Sequence, residues 1–105
     1  MIELNDENFE KEIAVAEKPI LVDFWAEWCF PCKTLGPILE KLSENFEEKI
    51  IFAKVNIDSA PLTAQKLRID RIPSVILFKE GRAINGFVGL LPEEAIKEWL
   101  EKNLN

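Results

Sequence analysis

Ile20-Leu-Val-Asp-Phe-Trp-Ala-Glu-Trp-Cys-Phe-Pro-Cys-Lys33 decides how the rest of this chain is read. Its first six residues are almost all apolar and rich in branched and aromatic types, the pattern of a central strand covered on both faces. Asp23 alone interrupts that run. From Pro31 onward Leu35, Ile38, Leu39, Leu42 and Phe46 recur on one helical face, with Lys41, Glu44 and Glu47 among the residues on the other. Cys29 and Cys32 are therefore placed three residues apart on the first turn of a helix that follows a buried strand directly. That spacing brings two sulfurs within disulfide reach.

The elements on either side agree with an alternating α/β chain. Ile2 to Leu4 reads as a short strand, and Asn5 or Asp6 can cap a helix on which Phe9, Ile13 and Ala16 recur until Pro19 stops it. Pro37 lies inside the long helix and should kink it, because it lacks the N–H that would bond back one turn. Ile50 to Ile57 is a further strand carrying Lys54. Asp58-Ser-Ala-Pro61 turns into a short helix ending near Leu67 or Arg68. Ile72 to Phe78 and Ala83 to Val88 form a hairpin around Gly81, which can take a positive φ. Pro92 suits a first helical position, and Ala95, Ile96, Trp99 and Leu100 make the apolar face of a last helix. Helices alternating with strands imply parallel neighbours, and the hairpin then adds an antiparallel edge.

Composition sets the outer limits. A chain of 105 residues is expected to be a single domain, residues 1–105, with 48% hydrophobic residues to fill a core. Nineteen acidic against thirteen basic residues give a charge of -6 with no basic cluster, which argues against nucleic-acid binding. With no histidine and two cysteines, the chain lacks the ligands for a four-coordinate zinc, an iron–sulfur cluster or haem. The same lack removes Ser-His-Asp and Cys-His nucleophile arrangements. No apolar stretch approaches a membrane span. Met1 leads neither into a basic segment nor into a long apolar one, so a cytoplasmic location is expected.

Chemistry thus rests on thiols, carboxylates and lysines. Unpaired N–H groups and the macrodipole at a helix start favour negative charge, so an exposed Cys29 should have a lowered pKa and act as the nucleophile. Cys32, one turn further in, would remain a thiol until Cys29 forms a mixed disulfide, and would then resolve it. A bare Cys-x-x-Cys also describes two structural cysteines, a static disulfide or half of a zinc site shared by two chains. The strand before the pair, Pro31 within it and the helix after it favour a redox turn.

Taken with Pro37-Ile-Leu, Ala53-Lys-Val-Asn-Ile-Asp58, Ile72-Pro73 and Phe78-Lys-Glu-Gly81, the stretch from Val22 to Lys33 closely resembles the thioredoxin family over essentially the whole chain. The resemblance implies a thioredoxin fold: a central mixed β-sheet with a parallel βαβ part and a C-terminal antiparallel ββα part, flanked by helices. It implies reduction of disulfides in client proteins, with electrons supplied by a thioredoxin reductase rather than by a bound cofactor. Asp23 matches the family's buried carboxylate, whose raised pKa would let it exchange a proton with Cys32. Lys54 matches a lysine near that carboxylate and would hold it partly ionised. Pro73 matches a proline that follows a cis peptide and faces the dithiol, with the backbone of Ile72 pairing an incoming extended peptide. Trp28, Phe30, Pro31, Ile72, Val88 and Gly89 would frame the client contact, and Trp25 would pack beneath the loop. A monomer with no nucleic-acid or membrane partner is expected.

Two departures from the family concern function. Phe30-Pro31 stands between the cysteines where the family usually has Gly-Pro, and these residues tune the redox potential. Arg68-Ile-Asp-Arg71 replaces the common Gly-Ile-Arg-Gly, so Arg71 adds a cation beside the groove that would lower the Cys29 pKa and favour acidic partners. If residue 68 must be left-handed, arginine there costs roughly 1 kcal/mol relative to glycine. An oxidase or isomerase using the same residues, and a redox-independent binding subunit on the same fold, are the alternative readings.

Overall fold

The computed structural model describes residues 1–104. Strands β1 (Ile2–Leu4), β2 (Ile20–Trp25), β3 (Ile51–Asn56), β4 (Ser74–Lys79) and β5 (Arg82–Val88) form one sheet in the order β1-β3-β2-β4-β5. β1 and β2 both run parallel to β3, whereas β4 is antiparallel to β2 and to β5. The hairpin therefore does more than supply an edge: β4 lies beside the central strand, and β5 is the rim opposite β1. This is the α/β thioredoxin fold that the sequence implied.

Four helices cover the two faces: α1 (Phe9–Val15), α2 (Phe30–Phe46), α3 (Pro61–Lys66) and α4 (Glu93–Leu104). Because side chains alternate along a strand, Leu21 of β2 joins Leu35, Leu39 and Leu42 of α2 and Ile96 and Leu100 of α4 on one face. Ile20, Val22 and Phe24 join Phe9 and Ile13 of α1 and Ala60, before α3, on the other. Double coverage explains the unbroken apolar run of β2. Phe24, fully buried, is worth about 2–3 kcal/mol in burial alone.

Local chemistry shifts several expected boundaries. Asn8 is the N-cap of α1 and makes no side-chain cap bond, while the Asn5 side chain accepts from the N–H groups of Glu7 and Asn8 in the turn before it. Asp6 serves a different helix. Its carboxylate accepts from the N–H groups of Leu62 and Thr63 and from the Thr63 hydroxyl, tying the N-terminal segment to the start of α3. Partial burial pushes this carboxyl up, but the three donors outweigh it and hold it below the ordinary carboxylate value. Pro92 precedes α4 rather than opening it, and its carbonyl accepts from the Ile96 N–H. α2 continues through Pro37 as one 17-residue helix, and Lys41 binds Glu93 of α4 at 3.5 Å.

α3 ends in paired bonds from the Arg68 N–H to the Gln65 carbonyl and from the Ile69 N–H to the Ala64 carbonyl. This closure needs a left-handed residue between them, and Arg68 supplies it at φ +57°. The β4–β5 turn is left-handed at both central residues, Glu80 (φ +52°) and Gly81 (φ +81°), as two-residue hairpin turns of this hand require.

Candidate functional site

β2 ends at Trp25 and α2 begins at Phe30, so Cys29 ends the intervening turn and Cys32 lies on the first turn of α2, both beyond the C-terminal end of β2. Cys29 is the N-cap of α2, and Cys29 and Cys32 are joined as a disulfide with their Cα atoms 5.3 Å apart. The N–H of Cys32 donates to the Cys29 Sγ at 3.3 Å. This helix start presents a backbone donor to the sulfur at its cap. In the closed disulfide Cys29 is 5% exposed and Cys32 3%, so the first sulfur is not the open group that sequence suggested. Ala26 packs on the pair, with Trp25, Ile57 and Ile72 around it.

The peptide between Ile72 and Pro73 is cis. Pro73 is buried, and its carbonyl accepts from the Gly89 N–H at 2.8 Å. Gly89 has φ +94°, and no atom lies within 4 Å of where a Cβ would stand, so its outer side is open. Around this junction apolar side chains face outward: Trp28 is 68% exposed and Phe30 78%, and Pro31, Val88 and Leu90 are exposed as well. Trp28 is not loose, because its indole N–H donates to the Asp58 carboxylate at 2.9 Å. Arg71, exposed, immediately precedes Ile72.

Beneath the disulfide lies a cavity of about 190 Å³, whose walls include Asp23, Trp25, Cys32, Gly36 and Lys54. Asp23 is 2% exposed, and its Oδ1 has no hydrogen-bond partner. Burial raises its carboxyl to about 7, opposed by the positive charge of Lys54. Lys54 occupies the register position beside Asp23 on β3, with its ammonium 5.4 Å from the centroid of the Trp25 ring. The cavity thus brings together Cys32, a carboxyl raised to about 7 and an ammonium.

Asp23, Cys32, Lys54 and Trp25 line the cavity, Cys29 and Ile72 pack in the disulfide cluster, and Trp28, Phe30, Pro31 and Val88 are exposed, whereas Arg68 closes α3 away from both. Ile57 and Asp58 end the Ala53–Asp58 motif that carries the family resemblance, but no site role follows from that motif. Their stretch, Asn56-Ile-Asp58, reads locally as a strand end and a turn, and only the fold shows that it reaches the cysteines and Trp28. No group of three or more metal-binding side chains occurs among the described residues. No described helix is long and apolar enough to cross a membrane.

Known proteins share this sequence pattern along its whole length. The chain is 42% identical over 105 residues to a thioredoxin of Buchnera aphidicola subsp. Acyrthosiphon pisum, covering 100% of this chain and 97% of that one. It is 43% identical over 101 residues to a thioredoxin of Rickettsia bellii, covering 96% of each. It is 42% identical over 102 residues to thioredoxin 2 of Chlorobaculum tepidum, covering 97% of this chain and 94% of that one. Residues 1–102 match the family model described as Thioredoxin, and with relatives aligned from end to end the chain belongs to the thioredoxin family.

Proposed function

We propose that this chain reduces disulfides in other proteins, with Cys29 as attacking thiolate, Cys32 as resolving thiol and Asp23 as the group that takes and returns the Cys32 proton. Family membership and a cysteine pair at bonding distance make the chain a thiol–disulfide oxidoreductase. The order of roles is carried by one observation: Cys29 caps α2 and receives a backbone N–H, a setting that favours its thiolate, while Cys32 lines the cavity that holds Asp23.

The Cys29 thiolate attacks one sulfur of a client disulfide, forming a Cys29–client bond as the other client sulfur leaves as thiolate and picks up a proton. Asp23 accepts the Cys32 proton, and Cys32 attacks the Cys29 sulfur. The Cys29–Cys32 disulfide forms, the second client thiolate departs, and two electrons have passed to the client. A reductase of the kind the family uses restores the dithiol. Lys54 keeps a fraction of Asp23 ionised and able to accept. Ile72 and the cis Pro73 offer an edge against which an extended client segment pairs. Trp28, Phe30 and Pro31 supply apolar contact, and Gly89 leaves room for the approaching backbone. The chain works as one domain and a monomer in the cytoplasm.

The roles are tested by trapping. Cys32→Ser should accumulate a covalent mixed disulfide between Cys29 and a client, and Cys29→Ser should accumulate none; the opposite pattern refutes the assignment. Titration of the Cys29–Cys32 couple then fixes direction. The general reference potential for a thioredoxin is about -270 mV, against roughly -180 mV for an isomerase and -120 mV for a strong oxidant. A midpoint near either of the last two would favour the isomerase or oxidase reading.

A further inference from the structure

The face of the sheet that carries Asp23 holds one row of charge. Glu3 of β1 is in register with Lys54 of β3, and Lys54 is in register with Asp23 of β2. Registered partners project to the same side of a sheet about 4.8 Å apart, so Lys54 stands between an exposed carboxylate and a buried one. Among the described residues its ammonium is ion-paired with neither, and it leans over Trp25 instead. A flexible four-carbon stem leaves that point charge able to shift along the row. Val75, the next member of the row on β4, carries no charge.

We propose that Glu3 is a positioning residue for the dithiol reaction: its carboxylate competes with Asp23 for the Lys54 ammonium and so governs how readily Asp23 gives up its proton. Two contributions act in the same direction. The Glu3 charge disfavours a second negative charge at Asp23, and by attracting the ammonium outward it weakens the attraction that favours ionised Asp23. Lys33 and Glu40 of α2, together with Met1, also line the cavity and supply a background that substitutions at Glu3 leave in place. The consequence for rate rests on the reading of Asp23 as proton acceptor; the electrostatic coupling does not.

The test follows the Asp23 carboxyl directly, by carbon-13 NMR titration of the oxidised full chain. A unit charge two strand spacings away moves a titration by about 0.3 pH unit at the dielectric of water and by more at the lower effective dielectric of a protein surface. Glu3→Gln should lower the Asp23 midpoint by at least that much, and Glu3→Lys by about twice as much. The same Glu3→Gln change in a Lys54→Met background should produce a clearly smaller shift, because only the through-space part survives. An unmoved midpoint in Glu3→Gln, or an equal shift with and without Lys54, overturns the proposal. Insulin-disulfide reduction measured against pH separates it from the functional reading. If the Asp23 midpoint moves and the rate profile follows, both stand. A midpoint that moves under an unchanged rate profile upholds the Glu3 coupling and removes Asp23 from the proton transfer.

Discussion

Replacing Asp23 by asparagine should make the protein more stable, and increasingly so as pH rises. Burial lifts this carboxyl from 3.8 to about 7 even against the opposing Lys54 charge. Between those two values the folded protein holds a proton that the unfolded chain has released. Stability therefore falls as pH climbs through this window and levels off above about 7, where both states are ionised. A separation of about 3 pH units at ~1.4 kcal/mol each corresponds to about 4 kcal/mol. Asparagine has similar size and polarity to the neutral acid and cannot ionise, so its own fit in the cavity is common to every pH. The expected stability difference between Asp23→Asn and the natural protein is thus about 4 kcal/mol larger at pH 8 than at pH 4. Near the midpoint this amounts to roughly 18 °C at the usual unfolding entropy for a chain of this size. Urea unfolding of both oxidised proteins from pH 4 to 9 measures it, and the titrations of all other carboxylates cancel in the difference. A difference that stays flat across that range would falsify the account of Asp23 as a carboxyl held in the core against its desolvation.

Three further outcomes are expected. Arg68→Gly relieves a left-handed arginine at the end of α3 and should stabilise by about 1 kcal/mol, raising Tm by roughly 4 °C with activity unchanged; a lower Tm would contradict the backbone argument. Gly86→Ala should destabilise by about 1–3 kcal/mol, because the added Cβ would meet the Val75 carbonyl oxygen at 2.8 Å and β5 would have to move away from β4; urea unfolding reads this directly. Phe30→Gly removes a side chain that is 78% exposed, so KM for protein clients should rise several-fold while KM for a small disulfide such as oxidised glutathione changes little. Equal changes for both substrates would place Phe30 in the tuning of the couple instead of in client contact.

What the sequence made legible was the part fixed by local periodicity and by the unusual density of meaning between Ile20 and Lys33. The strand–turn–helix around the cysteines and the two-sided burial of β2 both follow from neighbours in the chain. Asp6 illustrates what does not. Its helix-capping chemistry is readable, yet the N–H groups it serves belong to Leu62 and Thr63, 56 and 57 residues away. Pairings at that range depend on how α1 and α3 lie side by side, which no local pattern carries. The same holds for Ile57 and Asp58, whose reach to the disulfide and to Trp28 exists only once β3 lies beside β2. Cys29 departs from expectation for another reason: the helix start governs its electrostatics, but its burial comes from packing with Cys32 and Ala26 and against Ile57 and Ile72, the last two distant in the chain.

Residues that break local rules fall into two groups here, separated by whether they lie at the disulfide and its cavity. Asp23 places a carboxyl in a core strand, and Trp28 and Phe30 hold large apolar surfaces in solvent. Asp23 shares a cavity with Cys32, and Trp28 and Phe30 flank Cys29 in the chain. Arg68 and Glu80 also break a rule, each by a left-handed backbone in a side chain that disfavours it. Neither touches the cavity or the disulfide cluster; one closes α3 and the other turns the hairpin. Improving the second group should therefore raise stability without loss of activity. On the proposed mechanism, improving the first should raise stability at the expense of activity. Asp23→Asn is the sharpest case of that trade, because the burial that destabilises the ionised protein is the same burial that brings its carboxyl into the range where it can exchange a proton with a thiol.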